Sequence, residues 1–371
     1  MFISSRASLA SIASCLLFPC VSGFQSHQLG LASIKRFGTS YTIMQASSGS
    51  PDVAVLFDFD GTVGDTETPA MEIAYWELAP YFKSSTEDGV LPEKLPWMQE
   101  NAGKPFEQMI EAVEEERKAA GLPSVAEVRA NAGENPTAME VVNGRRVDYF
   151  KLKSLQQLRE EGALPADVVE QQKAETVEIL SFLTQPCPGV MEVISALQDN
   201  HGIPVAVATT SPKPRVPLCI KTIGLDTIFT PDKVHSGESD FTPPEFKPSP
   251  AVYLKAAQAE SCDPTNCVAV EDSASGVGSA SNAGIGLIVG YVGASHIPEE
   301  KKESHAASLM AGKRATSGRG AEIVLQDMTD LPTVVLAYQG MKKSGSGATL
   351  SSVLSGLGES LKGRYWLNGV N

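Results

Sequence analysis

The chain has 371 residues, enough for two folded units and their tails. Apolar residues make up 42% and charged residues 20%, which excludes a wholly disordered, collagen-like or coiled-coil protein. Lys and Arg number 30 against 44 Asp and Glu, and the resulting net charge of −14 repels phosphate backbones, so no nucleic-acid partner is expected.

Residues 1–51 contain no Asp or Glu, and Arg6, Lys35 and Arg36 are their only charges. Within them, residues 7–24 are uncharged and carry Leu9, Ile12, Leu16, Leu17, Phe18 and Val21, interrupted by serines and Pro19. This stretch is too short and polar for a membrane span but fits the apolar part of a signal peptide. Residues 25–50 are Ser-rich, basic and acid-free, which is transit-peptide composition. The two parts, joined at Phe24, are similar to the two-part plastid leaders of algae with secondary plastids. The expectation is a removable leader at 1–51 and a plastid (chloroplast) location, with a plain secretory signal as the alternative. Cys187, Cys219, Cys262 and Cys267 form no CxxC pair and read as small apolar residues.

The remainder opens with VAVLFDFDG. Val53, Val55 and Phe57 alternate with Ala54 and Leu56, so both faces of this predicted strand are apolar, as in a parallel sheet covered by helices. Similar runs recur at 204–209, 267–271 and 286–290, with helical spacing at 189–200, 250–260 and 273–283. Strands alternating with helices predict a doubly wound, mostly parallel α/β sheet. Between the first strand and Pro186, helices are predicted at 70–82, 106–120, 147–161 and 166–183. Loops are predicted at 83–96 and 123–144, where Pro, Gly, Asn and Ser cluster. The expected organisation is a core at 52–67 and 186–340, an inserted all-helical cap at 68–185, and a flexible Gly/Ser-rich tail at 341–371.

Four short segments at or near predicted strand ends carry chemistry. Asp58-Phe59-Asp60-Gly61-Thr62 puts two carboxylates on one side of an extended chain, where ligands of open α/β sheets bind. A bound cation is the usual compensation for such a pair, although an Asx-turn also fits. Ala208-Thr209-Thr210-Ser211 offers hydroxyls to phosphate oxygens, or simply makes a turn. Lys247 precedes a helix and can neutralise a phosphate, or stand in solvent. Glu271-Asp272-Ser273 offers Mg²⁺ ligands, or caps the next helix.

Taken together and in this order, Asp58, Thr209, Lys247 and Asp272 resemble the four motifs of the haloacid dehalogenase superfamily. Asp58-Phe59-Asp60-Gly61-Thr62-Val63 with Asp65-Thr66-Glu67, and Val270-Glu271-Asp272-Ser273-Ala274, are similar to the β-phosphoglucomutase and CbbY-like branch, which carries a helical cap. The resemblance implies a Mg²⁺-dependent phosphatase. Asp58 would be the nucleophile that forms an aspartyl phosphate, and Asp60 the general acid and base, kept partly protonated by its neighbour Asp58. Asp58, the Asp60 backbone, Asp272 and Glu271 would hold Mg²⁺, and Thr209, Thr210, Ser211 and Lys247 the phosphoryl group. Glu67, and Lys104 in a cap loop at 101–105, are candidate substrate contacts; starting a helix and an exposed loop charge are their plainer readings. The implied substrate is a small sugar phosphate or a sugar bisphosphate such as xylulose 1,5-bisphosphate. Mutases of the branch carry a His twelve residues after the nucleophile, where this chain has Ala70. That favours a phosphatase over the alternatives, a phosphosugar mutase and a non-catalytic regulatory module. No protein partner and no membrane association are inferred.

Overall fold

The computed structural model describes residues 51–101, 104–344 and 347–369. The expected leader therefore lies outside the described residues, as do Ala102 and Gly103 of the candidate cap loop.

The first strand, β1 (Ala54–Phe57), is followed by a short strand β2 (Gly64–Asp65) that pairs antiparallel with β3 (Gln185–Pro186). The other strands are β4 (Val205–Thr209), β5 (Val234–Ser236), β6 (Cys267–Glu271), β7 (Leu287–Tyr291), β8 (Ile323–Leu325) and β9 (Tyr365–Leu367). They form a seven-stranded sheet with β1 in the order β5-β4-β1-β6-β7-β8-β9. All neighbours are parallel except β8 and β9. Every residue of β1, β4, β6 and β7 is buried. Successive strand residues face opposite sides, so both faces of the sheet are covered.

Helices α1 (Glu67–Leu78), α2 (Lys83–Asp88), α3 (Lys94–Asn101), α4 (Phe106–Ala119), α5 (Val125–Asn131), α6 (Pro136–Asp148), α7 (Leu155–Glu160) and α8 (Val168–Leu183) lie between β2 and β3. They have hydrophobic cores of their own, one around Tyr75, Leu78, Phe82 and Met109 and one around Ile73, Phe150 and Ile179. The predicted loops 83–96 and 123–144 are in fact partly helical. Their Ser, Asn and Pro residues start helices rather than loops. Ser124 and Glu127 form a capping box for α5, and Asn135 caps α6 with Pro136 in its first turn. The helix predicted over 147–161 is broken: α6 stops at Asp148, Lys151 takes a positive φ of 57°, and Ser154 caps α7.

The remaining helices are α9 (Val190–Ser195), α10 (Val216–Thr222), α11 (Ala251–Ala259), α12 (Ala274–Asn282), α13 (Lys302–Met310), α14 (Leu331–Ser344) and α15 (Leu350–Ser355). The expectation of a flexible tail at 341–371 is corrected here. Leu354 of α15 is buried in the core, and β9 extends the sheet with Val324 opposite Trp366. The Asp330 carboxylate accepts from the Lys362 and Gly363 backbone N–H groups, each at 2.8 Å, and pins the chain ahead of β9. The Gly/Ser composition belongs to the connections, while Trp366 and Leu367 supply the packing.

Arg146 lies fully buried between α1 and α8. It donates to Glu77 at 2.5 Å and to Glu175 at 2.6 Å and 2.9 Å. Its removal would leave two carboxylates facing each other away from water. Arg146→Met is expected to lower stability by about 3–5 kcal/mol, read from the urea midpoint of unfolding; a loss below 1 kcal/mol, roughly that of an exposed pair, would contradict it.

Candidate active site

Parallel strands β1, β4 and β6 end side by side, so whatever follows each strand meets at one place. Asp58 follows β1 and is fixed by its N–H to the Val270 carbonyl at 3.0 Å. Glu271 ends β6, and Asp272 comes next. Lys247 arrives from a longer route. After β5 the chain runs through 237–246, where the Gly237 N–H bonds the Thr209 carbonyl and the Glu245 N–H bonds the Gly237 carbonyl, both at 2.8 Å. A Cβ on Gly237 would stand 2.3 Å from the Glu245 oxygen, so only glycine lets this loop close. The loop then delivers Lys247, whose buried ammonium donates to Asp58 at 2.5 Å and to Glu271 at 2.6 Å.

Asp58, Glu271 and Asp272 bring carboxylate oxygens within 4.8 Å of one another. Burial and the surrounding carboxylates set their protonation. The Asp58 carboxyl is pushed up to about 7, chiefly by burial, with Lys247 pulling the other way and Glu271 and Asp60 adding to the rise. Asp272 is held well above the usual range by burial and by Asp58 and Glu271. Burial works against the Lys247 charge, yet its two carboxylates raise its affinity for the proton. Glu271 also accepts from the Tyr253 hydroxyl at 2.6 Å, and a Cβ on Gly276 would fall 1.8 Å from its Oε2. Gly61 takes a φ of +80°, and a Cβ there would lie 2.1 Å from Asp272 Oδ2. The turn after Asp60 thus needs glycine for both its dihedral and its closeness to Asp272.

The Asp60 side chain behaves otherwise than expected. It accepts from Thr66 Oγ1 at 2.7 Å, Ser211 Oγ at 2.6 Å and Arg215 Nη2 at 2.8 Å. Burial would raise its pKa, but the Arg215 charge and these hydrogen bonds prevail and lower it. The expected partial protonation through Asp58 is therefore reversed: Asp58 is the raised carboxyl and Asp60 the lowered one.

The hydroxyls after β4 divide their duties. Thr209 is buried, accepts from the Ser211 N–H at 3.1 Å and lies 3.5 Å from Asp60, while Thr210 lines the cavity above Asp58. Glu67, at the start of α1, also faces that cavity. Partial desolvation in the cavity mouth and the Asp60 charge raise its pKa, although the residue itself is exposed. Lys104 does not line the cavity; its ammonium bonds Asn101 Oδ1 at 3.2 Å. Arg215, an isolated Arg in a turn, has nothing in the sequence to mark it as buried. His296 and His305, both after β7, were not among the expected site residues either. His305 Nε2 meets the Asp272 carbonyl at 2.6 Å, and His296 Nε2 lies 3.7 Å from Asp272 Oδ2. The position of His296 shortly after the carboxyl end of β7 was an available signal; His305, inside α13, carried none.

Residues 53–284 match the family model of haloacid dehalogenase-like hydrolases. The chain belongs to this family. A CBBY-like protein of Arabidopsis thaliana is 35% identical over 102 residues, 28% of this chain and 31% of that protein. A phosphorylated carbohydrates phosphatase of Thermotoga maritima is 28% identical over 244 residues, 64% of this chain and 85% of that protein. The chain spans less than half the length of several curated relatives that it matches. The crystal structure of a haloacid dehalogenase-like protein of unknown function from Agrobacterium tumefaciens has the same fold, with a TM-score of 0.50 at 23% identity, covering 77% of this chain and 98% of that one.

The Arg215–Asp60 pair can be tested without turnover. Arg215→Met removes the attraction that favours ionised Asp60, so Asp60 is expected to titrate at higher pH than in the parent. Carboxyl-carbon NMR across a pH series reads this directly, and an unmoved Asp60 resonance would contradict the assignment.

Proposed function

We propose that the protein is a Mg²⁺-dependent phosphomonoester hydrolase for a small phosphorylated metabolite of sugar-phosphate size, working through an aspartyl phosphate on Asp58. One observation carries this reading: a buried carboxylate, Asp58, lies on the floor of a cavity, gripped by Lys247 and grouped with Glu271 and Asp272. The printed names of relatives, a phosphorylated carbohydrates phosphatase and a hexitol phosphatase B of Escherichia coli, support the substrate class. A plastid location is part of the proposal, supported by the composition of residues 1–51 and by a CBBY-like protein in a plant.

The donor set fits Mg²⁺, which takes hard oxygen ligands from one or two carboxylates together with water and substrate. Asp58 and Asp272 would hold it with the Asp60 backbone carbonyl. Glu271 is the weaker donor, because its oxygens already accept from Lys247, Tyr253 and Ser273. When bound, Mg²⁺ offsets the repulsion between the Asp58 carboxylate and a phosphoryl group.

In the first step an Asp58 oxygen bonds to phosphorus and the ester oxygen leaves with a proton from Asp60. Asp60 is held ionised by Arg215, so it donates only after exchanging that partner and taking up a proton. In the second step water attacks phosphorus, gives its proton to Asp60, and the bond from phosphorus to Asp58 breaks. Lys247 and Thr210 face the phosphoryl oxygens.

Phosphate release by the full chain is expected to stop with EDTA and return with Mg²⁺. Asp58→Asn should reduce it by more than about 10³-fold, and retention of parental activity would remove Asp58 as nucleophile.

Metal binding has a separate readout. A carboxyl whose pKa is raised on folding favours its protonated form. Metal-free stability therefore falls as pH rises from the ordinary 3.8 towards about 7. Mg²⁺ competes with those protons, so it should raise the unfolding temperature more at about pH 8 than at about pH 5. Equal shifts at both values would speak against Asp58 and Asp272 as ligands.

A further inference from the structure

The cavity above Asp58 has a volume of about 710 Å³, larger than a phosphoryl group needs. Its two walls differ in chemistry. The wall from the core carries the charged groups already described. The wall from α1 and α3 carries Met71, Leu95 and Met98, with Glu67, Thr68 and Gln99 beside them. Among the described residues, no Lys or Arg of 68–185 lines the cavity. Lys104 is turned to Asn101 instead. Leu95 is 63% exposed, a large apolar side chain left in water at the rim of a substrate-sized hollow.

Charge points the same way. Four carboxylates, Asp58, Asp60, Glu67 and Asp272, line the cavity against two ammonium groups, Lys247 and Lys301. Lys247 is already bonded to Asp58 and Glu271, and Lys301 sits on the core side in a turn beside Glu299 and Glu300. A second phosphate against the α1–α3 wall would be desolvated by methionine and leucine and, among the described residues, would find no cation on that wall to pair with.

Resting on the hydrolase reading and extending it, we propose that Met71, Leu95 and Met98 receive a hydrocarbon face of the substrate. The substrate is then a phosphomonoester with an uncharged remote end rather than a bisphosphate. The phosphoryl group anchors one end by charge, and the wall selects the other by carbon contact, for which flexible methionine side chains are suited.

Two probes of similar reach decide it: n-hexyl phosphate and 1,6-hexanediol bisphosphate. Both are assayed for phosphate release by the full chain with Mg²⁺, and for binding to the Asp58→Asn variant by calorimetry. Hexyl phosphate is expected to exceed the bisphosphate by about tenfold or more in kcat/KM and in affinity. Leu95→Lys places a cation on the wall and should shrink that ratio by about tenfold, through KM rather than kcat. Equal or better use of the bisphosphate by the parent, or a ratio unmoved by Leu95→Lys, overturns the proposal. If neither probe nor p-nitrophenyl phosphate releases phosphate, the hydrolase reading fails, and the calorimetric ranking still decides the character of the wall.

Discussion

A single buried ammonium makes the rest of the site possible. Three parallel strands end together, and the residues after them place Asp58, Asp60, Glu271 and Asp272 in a space largely closed to water. Unpaired, so much negative charge would not remain ionised. Lys247 bonds two of these acids at once, and among the described residues no other Lys or Arg pairs with Asp58, Glu271 or Asp272. Its two bonds recover only part of the cost, which is why Asp58 and Asp272 still hold protons more tightly than ordinary carboxyls. The remaining deficit is what a divalent ion fits.

Arg215 divides the cluster. On its side Asp60 is ionised and saturated with donors; on the Lys247 side the acids are short of positive charge. Two carboxylates one residue apart thus acquire opposite tendencies, with no difference in residue type between them. The chain separates the proposed nucleophile from the proposed proton carrier by directing one side chain to an ammonium and the other to a guanidinium. Glycine permits this crowding: Gly61 lets the turn pass against Asp272, and Gly276 leaves room for the Glu271 carboxylate.

The strand tips were legible in the sequence because a strand apolar on both faces has one place to go, and polar residues directly after it must lie at its end. Asp58, Thr209 and Glu271 follow from that rule alone. Lys247 was placed with the acids mainly through the family resemblance, since its approach depends on a loop closed by hydrogen bonds between Gly237, Thr209 and Glu245. Arg215 was invisible: a guanidinium in a turn reads as solvated until its partner is located. The helices at 83–88, 125–131 and 136–148 were hidden for a related reason. Ser124, Asn135 and Pro136 break one pattern and begin another, and composition alone does not say which. The end of the chain misled because its Gly and Ser outnumber the few apolar side chains that dock it.

The site also joins the inserted helices to the core through Asp60. Thr66, which donates to Asp60, immediately precedes α1, and the Asp65 carboxylate accepts from the Thr68 N–H at 3.1 Å and from the Ser295 hydroxyl beyond β7. The first turn of α1 is therefore tied to Asp60 and to the loop that holds His296. Met71 lies in the same helix, one turn further on, and faces the cavity. A rotation of α1 about the β2–β3 ribbon would move Met71 in the cavity wall and the hydroxyl that holds Asp60 together. In the proposed reaction, contact of a substrate with Met71 and the Thr66 hydrogen bond to Asp60 would therefore be linked through the first turns of α1.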